Sequence, residues 1–201
     1  MSYFAAALVA YLLGSIPFGF IAGLIARIDV RDHGSGNIGA TNTLRVLGKK
    51  YGYPVFAADV LKGFLAVRIA LWLARFDPST GYFIGILAAF FVVVGHSFPI
   101  WLSFRGGKGV AAAAGACLGL VPLATVIAVL IWIATFFTFR YVSLASIVAA
   151  IALALSALFL GYAADPILLT FTCMIAALII VRHRGNIVRL LEGREPRFDR
   201  K

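Results

Sequence analysis

Seven apolar runs leave little of this chain for anything else: residues 3–26, 53–74, 82–101, 109–120, 123–139, 143–160 and 167–181. Across 201 residues, 62% are hydrophobic and only 13% charged. A soluble domain of this length has no core able to hide so much apolar surface. The chain therefore reads as an all-α integral membrane protein. Several runs fall short of the ~20 residues of a full span, and the fourth reaches only about 18 Å at the rise of an α-helix.

The distribution of basic residues selects among the topologies. With seven transmembrane helices, the N-terminus outside and the C-terminus cytoplasmic, fifteen of the eighteen Lys and Arg residues lie inside, as the positive-inside rule requires. Arg75 is then outside, and Lys62 and Arg68 fall within the second run. A re-entrant fourth run would either flip everything before Arg140 or leave the basic tail outside. The first run has no Lys or Arg ahead of it, so it is expected to stay as a helix rather than be cleaved as a signal. The longest polar stretches are 27–52 and 182–201, so residues 1–201 are expected to form a single polytopic membrane domain. There is no internal repeat.

A net charge of +10 would point to nucleic acid in a soluble protein. Here the basic residues flank membrane helices, and no nucleic-acid partner is expected. Cys117 and Cys173 sit inside apolar runs, which gives no disulfide framework, metal site or cofactor.

The stretch GSGNIGATNTLRVLGKK, residues 34–50, opens with a literal G-x-G-x-x-G. The dinucleotide fingerprint needs a βαβ unit around it, and membrane helices flank this one. Neither Lys49 nor Lys108 has P-loop context. The physics survives the failed fingerprint, since glycines let backbone N–H groups approach an anion and a following helix N-terminus adds partial positive charge. Ser35, Asn37, Thr41 and Asn42 add short donors, and Arg45 lies one turn after Thr41 on the same face of any helix there. The plainer alternative is a surface loop using Gly and Asn for turns.

A second stretch, FRGGKGVAAAAG, sets Arg105 and Lys108 among Gly106, Gly107 and Gly109 and opens the short fourth helix. Its alternative is a tight turn with a snorkelling lysine. The third region comprises RYVSLAS and RHRGNIVRLLEGRE, where His183 stands between Arg182 and Arg184 with Asn186 close by.

Together these stretches, with AYLLGSIPFG and GHSFPIWLSFRGGKGVA, resemble the bacterial membrane acyl-phosphate:glycerol-3-phosphate acyltransferases of the PlsY type, over nearly the whole chain. The resemblance implies transfer of a fatty acyl group from acyl phosphate to the 1-hydroxyl of sn-glycerol 3-phosphate, giving lysophosphatidic acid and phosphate. It also implies seven helices in the bacterial inner membrane, with the active site on the cytoplasmic face. Carried over by position, Ser35, Gly36, Asn37, Thr41, Asn42, Arg45, Lys108, Ser146, His183 and Asn186 line the phosphate sites, beside Gly106, Gly107 and Gly109. Lys108, Arg45, Ser35 and His183 are the catalytic candidates. Two anionic substrates need such surroundings: like charges ~4 Å apart repel by about 4 kcal/mol at an effective dielectric near 20.

No histidine has the H-x-x-x-x-D spacing of other phospholipid acyltransferases, because Ile38, Trp101 and Val188 occupy the required positions. The resemblance suggests that the substrate phosphate takes the proton while the protein positions and neutralises. His183 is expected to bind substrate through a ring N–H. Acyl phosphate, glycerol 3-phosphate and membrane lipid are the expected partners; the sequence leaves the oligomeric state open, a monomer being plausible. A transporter of a small phosphorylated anion would want ionisable residues leading across the midplane. Only Asp59, Lys62 and Arg68 sit within a run, and the first two are spaced to pair at i, i+3. A module that merely binds anionic lipid leaves the paired Gly-rich loops unexplained.

Overall fold

The computed structural model describes residues 3–75 and 81–198. Arg200 and Lys201 of the basic tail lie outside the described residues. All seven apolar runs are helical, and among the described residues there is no strand. That is the expected outcome for segments that must satisfy every backbone N–H and C=O internally in hydrocarbon. The helices are α1 (Tyr3–Ser15), α2 (Phe18–Ile25), α3 (Ala40–Leu47), α4 (Lys49–Ala74), α5 (Gly81–Ser97), α6 (Val110–Leu120), α7 (Pro122–Phe139), α8 (Val142–Phe159), α9 (Pro166–Arg182) and α10 (Arg184–Leu191).

Four stretches are long and apolar enough to cross a membrane: Tyr3–Ile25, Gly81–Leu102, Pro122–Phe139 and Val142–Phe159. The pair α9 and α10, bent by 58°, makes a fifth. The chain is thus a multi-pass membrane protein with four or five such spans by length and apolarity. Helix α4 has 26 residues but carries Asp59, Lys62 and Arg68. Helix α6 has 11 residues and reaches about 16 Å.

The chain divides into two compact units, one up to Leu120 and one from Val121 on. In the first, α1 packs on α5, and α4 packs on both α5 and α6. Small residues let these backbones touch, as is common between membrane helices. A Cβ on Gly63 would strike the Ala112 carbonyl of α6, and one on Gly115 would strike the Val60 carbonyl of α4. The same holds between α1 and α5 at Gly14 and Gly95. Pro17, which has no N–H, separates α1 from α2 and leaves the Ile16 carbonyl at the break.

In the second unit, α8 packs on α7 and α9, while α10 touches α8 and α9. Helix α7 buries Ala124, Thr125 and Ala128 but exposes Leu123, Val126, Val129, Leu130, Ile133 and Phe137. Such a face suits lipid. Helix α9 opens on Asp165, whose carboxylate accepts from the N–H groups of Ile167 and Leu168, an N-cap followed by proline at the first position. After α10 the chain turns back: Phe198 N–H donates to the Arg140 carbonyl at 2.8 Å. The Phe198 ring meets Phe136 edge-on, 5.8 Å between centroids.

Candidate active site

The first Gly-rich loop is built around Asn42. This side chain is buried, and its Oδ1 accepts from Ser35 N–H at 2.8 Å. Its amide donates to the Val30 carbonyl at 2.9 Å and the His33 carbonyl at 3.1 Å. Gly34 and Gly36 flank Ser35 with φ of +61° and +67°, a left-handed backbone that glycine adopts without penalty. The curl leaves the Ser35 side chain exposed. Helix α3 then starts after Gly39, whose carbonyl accepts from Asn42 N–H, Thr43 N–H and the Thr43 hydroxyl. It sets Thr41 and Arg45 one turn apart, with Arg45 exposed. Arg31 grips Asp29 through Nε at 2.9 Å to Oδ1 and 3.0 Å to Oδ2. Those hydrogen bonds hold the Asp29 carboxyl down to about 2.

The second Gly-rich stretch is pinned to the end of α5. Gly106 N–H donates to the Ser97 carbonyl at 3.2 Å, and Gly107 N–H to the His96 carbonyl at 3.0 Å. These are orphan carbonyls of a helix C-terminus. A side chain at 106 would strike the His96 carbonyl, and one at 107 would strike the His96 ring. Gly106 and Gly107 therefore serve by letting the turn lie flat on α5. The resemblance sets these two glycines beside the phosphate sites, and their N–H groups bond to the end of α5. Gly109, at φ +85°, releases the chain into α6, and Lys108 is half-buried at the bend. The two Gly-rich stretches meet directly: Asn37 Nδ2 donates to the Gly106 carbonyl at 3.4 Å. Its Oδ1 accepts from Gly39 N–H at 2.8 Å.

Behind this pair lies a buried polar cluster. Lys62 Nζ stands 2.8 Å from Asp59 Oδ1, and His96 Nδ1 is 3.4 Å from the same oxygen. Lys62 also donates to the Ile16 carbonyl at 2.8 Å, which accepts from Phe18 N–H as well, and lies 5.3 Å from the centre of the Phe18 ring.

The C-terminal unit gathers Ser143, Ser146, His183, Asn186 and Glu195, all buried. Glu195 is the hub. Its Oε1 accepts from Ser143 Oγ at 2.6 Å and Asn186 Nδ2 at 2.7 Å, and its Oε2 from Arg189 Nε at 2.8 Å. Burial pushes the Glu195 carboxyl up, but the bonds from Ser143, Asn186 and Arg189 outweigh it and hold it below the usual range. His183 Nδ1 lies 2.8 Å from the Ile179 carbonyl. A carbonyl only accepts, so Nδ1 carries the proton and the neutral ring presents an acceptor at Nε2. Ser146 Oγ donates to the Val142 carbonyl at 2.8 Å and accepts from Trp132 Nε1 at 3.2 Å.

Within the first unit the fold brings Ser35, Gly36, Asn37, Thr41, Asn42 and Arg45 beside the turn bearing Gly106, Gly107, Lys108 and Gly109. Within the second it brings Asn186 and His183 to the start of α10, with Ser146 on α8. Asn42 and Ser146 direct their hydrogen bonds to the surrounding backbone and, for Ser146, to Trp132. The sequence reading did not single out Glu195. Its one signal there was to be a rare acid among Arg189, Arg194 and Arg197.

These features define an all-helical, multi-pass membrane protein with buried polar clusters in each of its two units. Residues 4–193 match the family described as glycerol-3-phosphate acyltransferase. A glycerol-3-phosphate acyltransferase of Staphylococcus haemolyticus (strain JCSC1435) is 41% identical over 195 residues, 95% of each chain. One of Staphylococcus aureus (strain JH9) is 42% identical over the same share. Crystal structures of PlsY (YgiH), an integral membrane glycerol 3-phosphate acyltransferase, are also similar. The glycerol 3-phosphate form has a TM-score of 0.90 and 43% identity, covering 99% of this chain and 96% of that one. The lysophosphatidic acid form has a TM-score of 0.88 and 42% identity, with the same coverage. This chain belongs to the glycerol-3-phosphate acyltransferase family and is an acyltransferase.

Proposed function

We propose that this chain moves a fatty acyl group from acyl phosphate to the 1-hydroxyl of sn-glycerol 3-phosphate, giving 1-acyl-glycerol 3-phosphate and inorganic phosphate. The observation that carries this reading is the likeness to a relative solved with glycerol 3-phosphate and with lysophosphatidic acid, 43% and 42% identical to this chain. A new ester C–O bond forms, the acyl C–O bond to phosphate breaks, and the hydroxyl proton leaves with the departing phosphate. The protein's part is to hold two anions together and stabilise the charge developing on the leaving group.

Lys108, Arg45 and Ser35 are the proposed catalytic contacts, with Thr41 and the backbone beyond Lys108 binding phosphate oxygens. Asn37, Asn42, Gly36, Gly106, Gly107 and Gly109 give the two loops their shape. His183 is proposed to accept a hydrogen bond from the glycerol moiety at Nε2, with Asn186 beside it and Ser146 supporting. The chain is proposed to form a single polytopic domain in the bacterial inner membrane. Its seven crossings run from an outside N-terminus to a cytoplasmic C-terminus, with the site on the cytoplasmic face. The basic residues on the inner side of that topology support it.

The test is turnover by purified protein supplied with acyl phosphate and labelled glycerol 3-phosphate. Lysophosphatidic acid and phosphate should appear in equal amounts. Equal or better turnover with acyl-CoA, free of acyl phosphate, would overturn the donor, and no labelled lipid from any donor would overturn the function.

A further inference from the structure

Asp59, Lys62 and His96 are given no substrate contact in the proposed reaction, yet they are nearly inaccessible, at 2%, 3% and 6% exposure. Ionisable side chains inside a membrane helix bundle are costly and call for a reason. An isolated ion pair would be served by α4 alone, because Asp59 and Lys62 are one turn apart. The third member is what asks for explanation. His96 reaches Asp59 with Nδ1 at 3.4 Å, while the opposite edge of its ring is pressed against Gly107, where any side chain would meet Nε2. The carbonyls of His96 and Ser97 receive the N–H groups of Gly107 and Gly106. One residue thus carries the turn on both its backbone and its ring, and the ring's other edge faces a carboxylate on α4.

We propose that His96, oriented by Asp59 and Lys62, is a positioning residue for the turn that bears Lys108. The inference rests on the acyl-transfer reading for what Lys108 does, but the position of the turn is measurable without it. The chain of contact is Lys62 to Asp59, Asp59 to His96, His96 to Gly107, and Gly107 to its neighbour Lys108. Lys62 also fixes the Ile16 carbonyl, so the same charges hold the break between α1 and α2 against α4. A small rotation of the imidazole would lift Gly107 and swing the Lys108 ammonium, and misplacement by an ångström is enough to cost ~10²-fold in rate.

His96→Phe keeps a ring in the seat but removes the nitrogen that Asp59 orients. It should lower kcat by ~10-fold or more, with a smaller change in KM for glycerol 3-phosphate. In a Lys108→Ala background the same substitution should cost less than ~2-fold, since residues acting through one another are not additive. An equal loss in both backgrounds would reduce the cluster to packing. Alkylation of a Lys108→Cys thiol reads the turn without turnover, and His96→Phe should change its rate several-fold. An unchanged rate overturns the positioning role, whatever reaction the protein catalyses. Asp59→Asn carries the same comparisons if His96→Phe does not purify. A wild type that transfers no acyl group, beside a thiol rate that responds, overturns the reading of the reaction and leaves the positioning standing.

Discussion

The side-chain amide of Asn37 reaches 3.4 Å across to the carbonyl of Gly106, tying together two Gly-rich stretches that lie 69 residues apart. Asn37 is also the acceptor for Gly39 N–H, so one side chain both turns its own loop and docks it on the other. The two jobs are separable. Asn37→Asp keeps the acceptor and loses the donor, whereas Asn37→Ala loses both. We expect Asn37→Asp to melt within ~1 kcal/mol of wild type, the usual scale of one hydrogen bond, but to turn over several-fold more slowly. Activity equal to wild type in Asn37→Asp would show that the loops need no tie.

Lys108 should be the least replaceable cation. Lys108→Ala is expected to lower kcat by ~10²-fold or more, as the loss of one preorganised charge-stabilising donor does. Lys108→Arg should also be poor, because a planar fork does not replace a point charge at a tight bend. Steady-state kinetics on folded protein decide it, and an alanine variant with half the wild-type activity would make the stretch a turn and nothing more.

His183 offers a sharper contrast now that its protonated nitrogen is assigned. Asparagine places an amide near Nδ1 and keeps the tie to Ile179, whereas glutamine places a polar atom near Nε2. If Nε2 binds the glycerol moiety, His183→Gln should retain more activity than His183→Asn or His183→Ala. The acid limb of the pH profile should persist in His183→Gln. If glutamine is as inactive as alanine, and the wild-type profile falls with one protonation near ~6–7, His183 is the base.

Glu195 predicts a pH dependence of stability. Its carboxyl is held below the usual range in the fold, so the unfolded chain binds the proton more readily. The stabilisation is fully present above the unfolded value of ~4.3 and is lost as pH falls through the lower folded value. Thermal unfolding in detergent should show this loss, and Glu195→Gln should flatten it. At neutral pH Glu195→Gln should cost about 2 kcal/mol, the scale of hydrogen bonds to a charged group. A variant with the wild-type profile would place the acid transition elsewhere.

Topology is tested by single cysteines on exposed positions. Cysteine at Ala164 should react with an impermeant thiol reagent from outside intact cells, and cysteine at Lys50 should not. Both residues are exposed. Labelling at Lys50 from outside would invert the orientation and move the site to the other face.

The apolar runs announced every long helix, because burial in hydrocarbon demands length and apolarity and both are written locally. Helices α3 and α10 escaped that signal. Their sequences, ATNTLRVL and RGNIVRLL, are too polar to register as spans, and their docked faces show only against neighbours. The first run hid the break at Pro17. At the site, the glycines marked the loops, but not which way the amides of Gly106 and Gly107 point, since that depends on where α5 ends. Glu195 was least legible: its value comes from Ser143 and Asn186, 52 and nine residues away.

That hub follows α10 in the chain, and this sets the order in which the contacts of the C-terminal unit are completed. When α8 enters the membrane, Glu195 is still to be synthesised, so Ser143 must wait for its acceptor. Asn186 and Arg189 wait as well, although α10 is already made. The polar cluster of the C-terminal unit therefore closes only once Glu195 has been made, and until then Ser143, Asn186 and Arg189 lack their carboxylate. A ribosome stalled at Arg194, or a nonsense mutation directly after it, leaves α8 and α10 made and the acid that ties them missing.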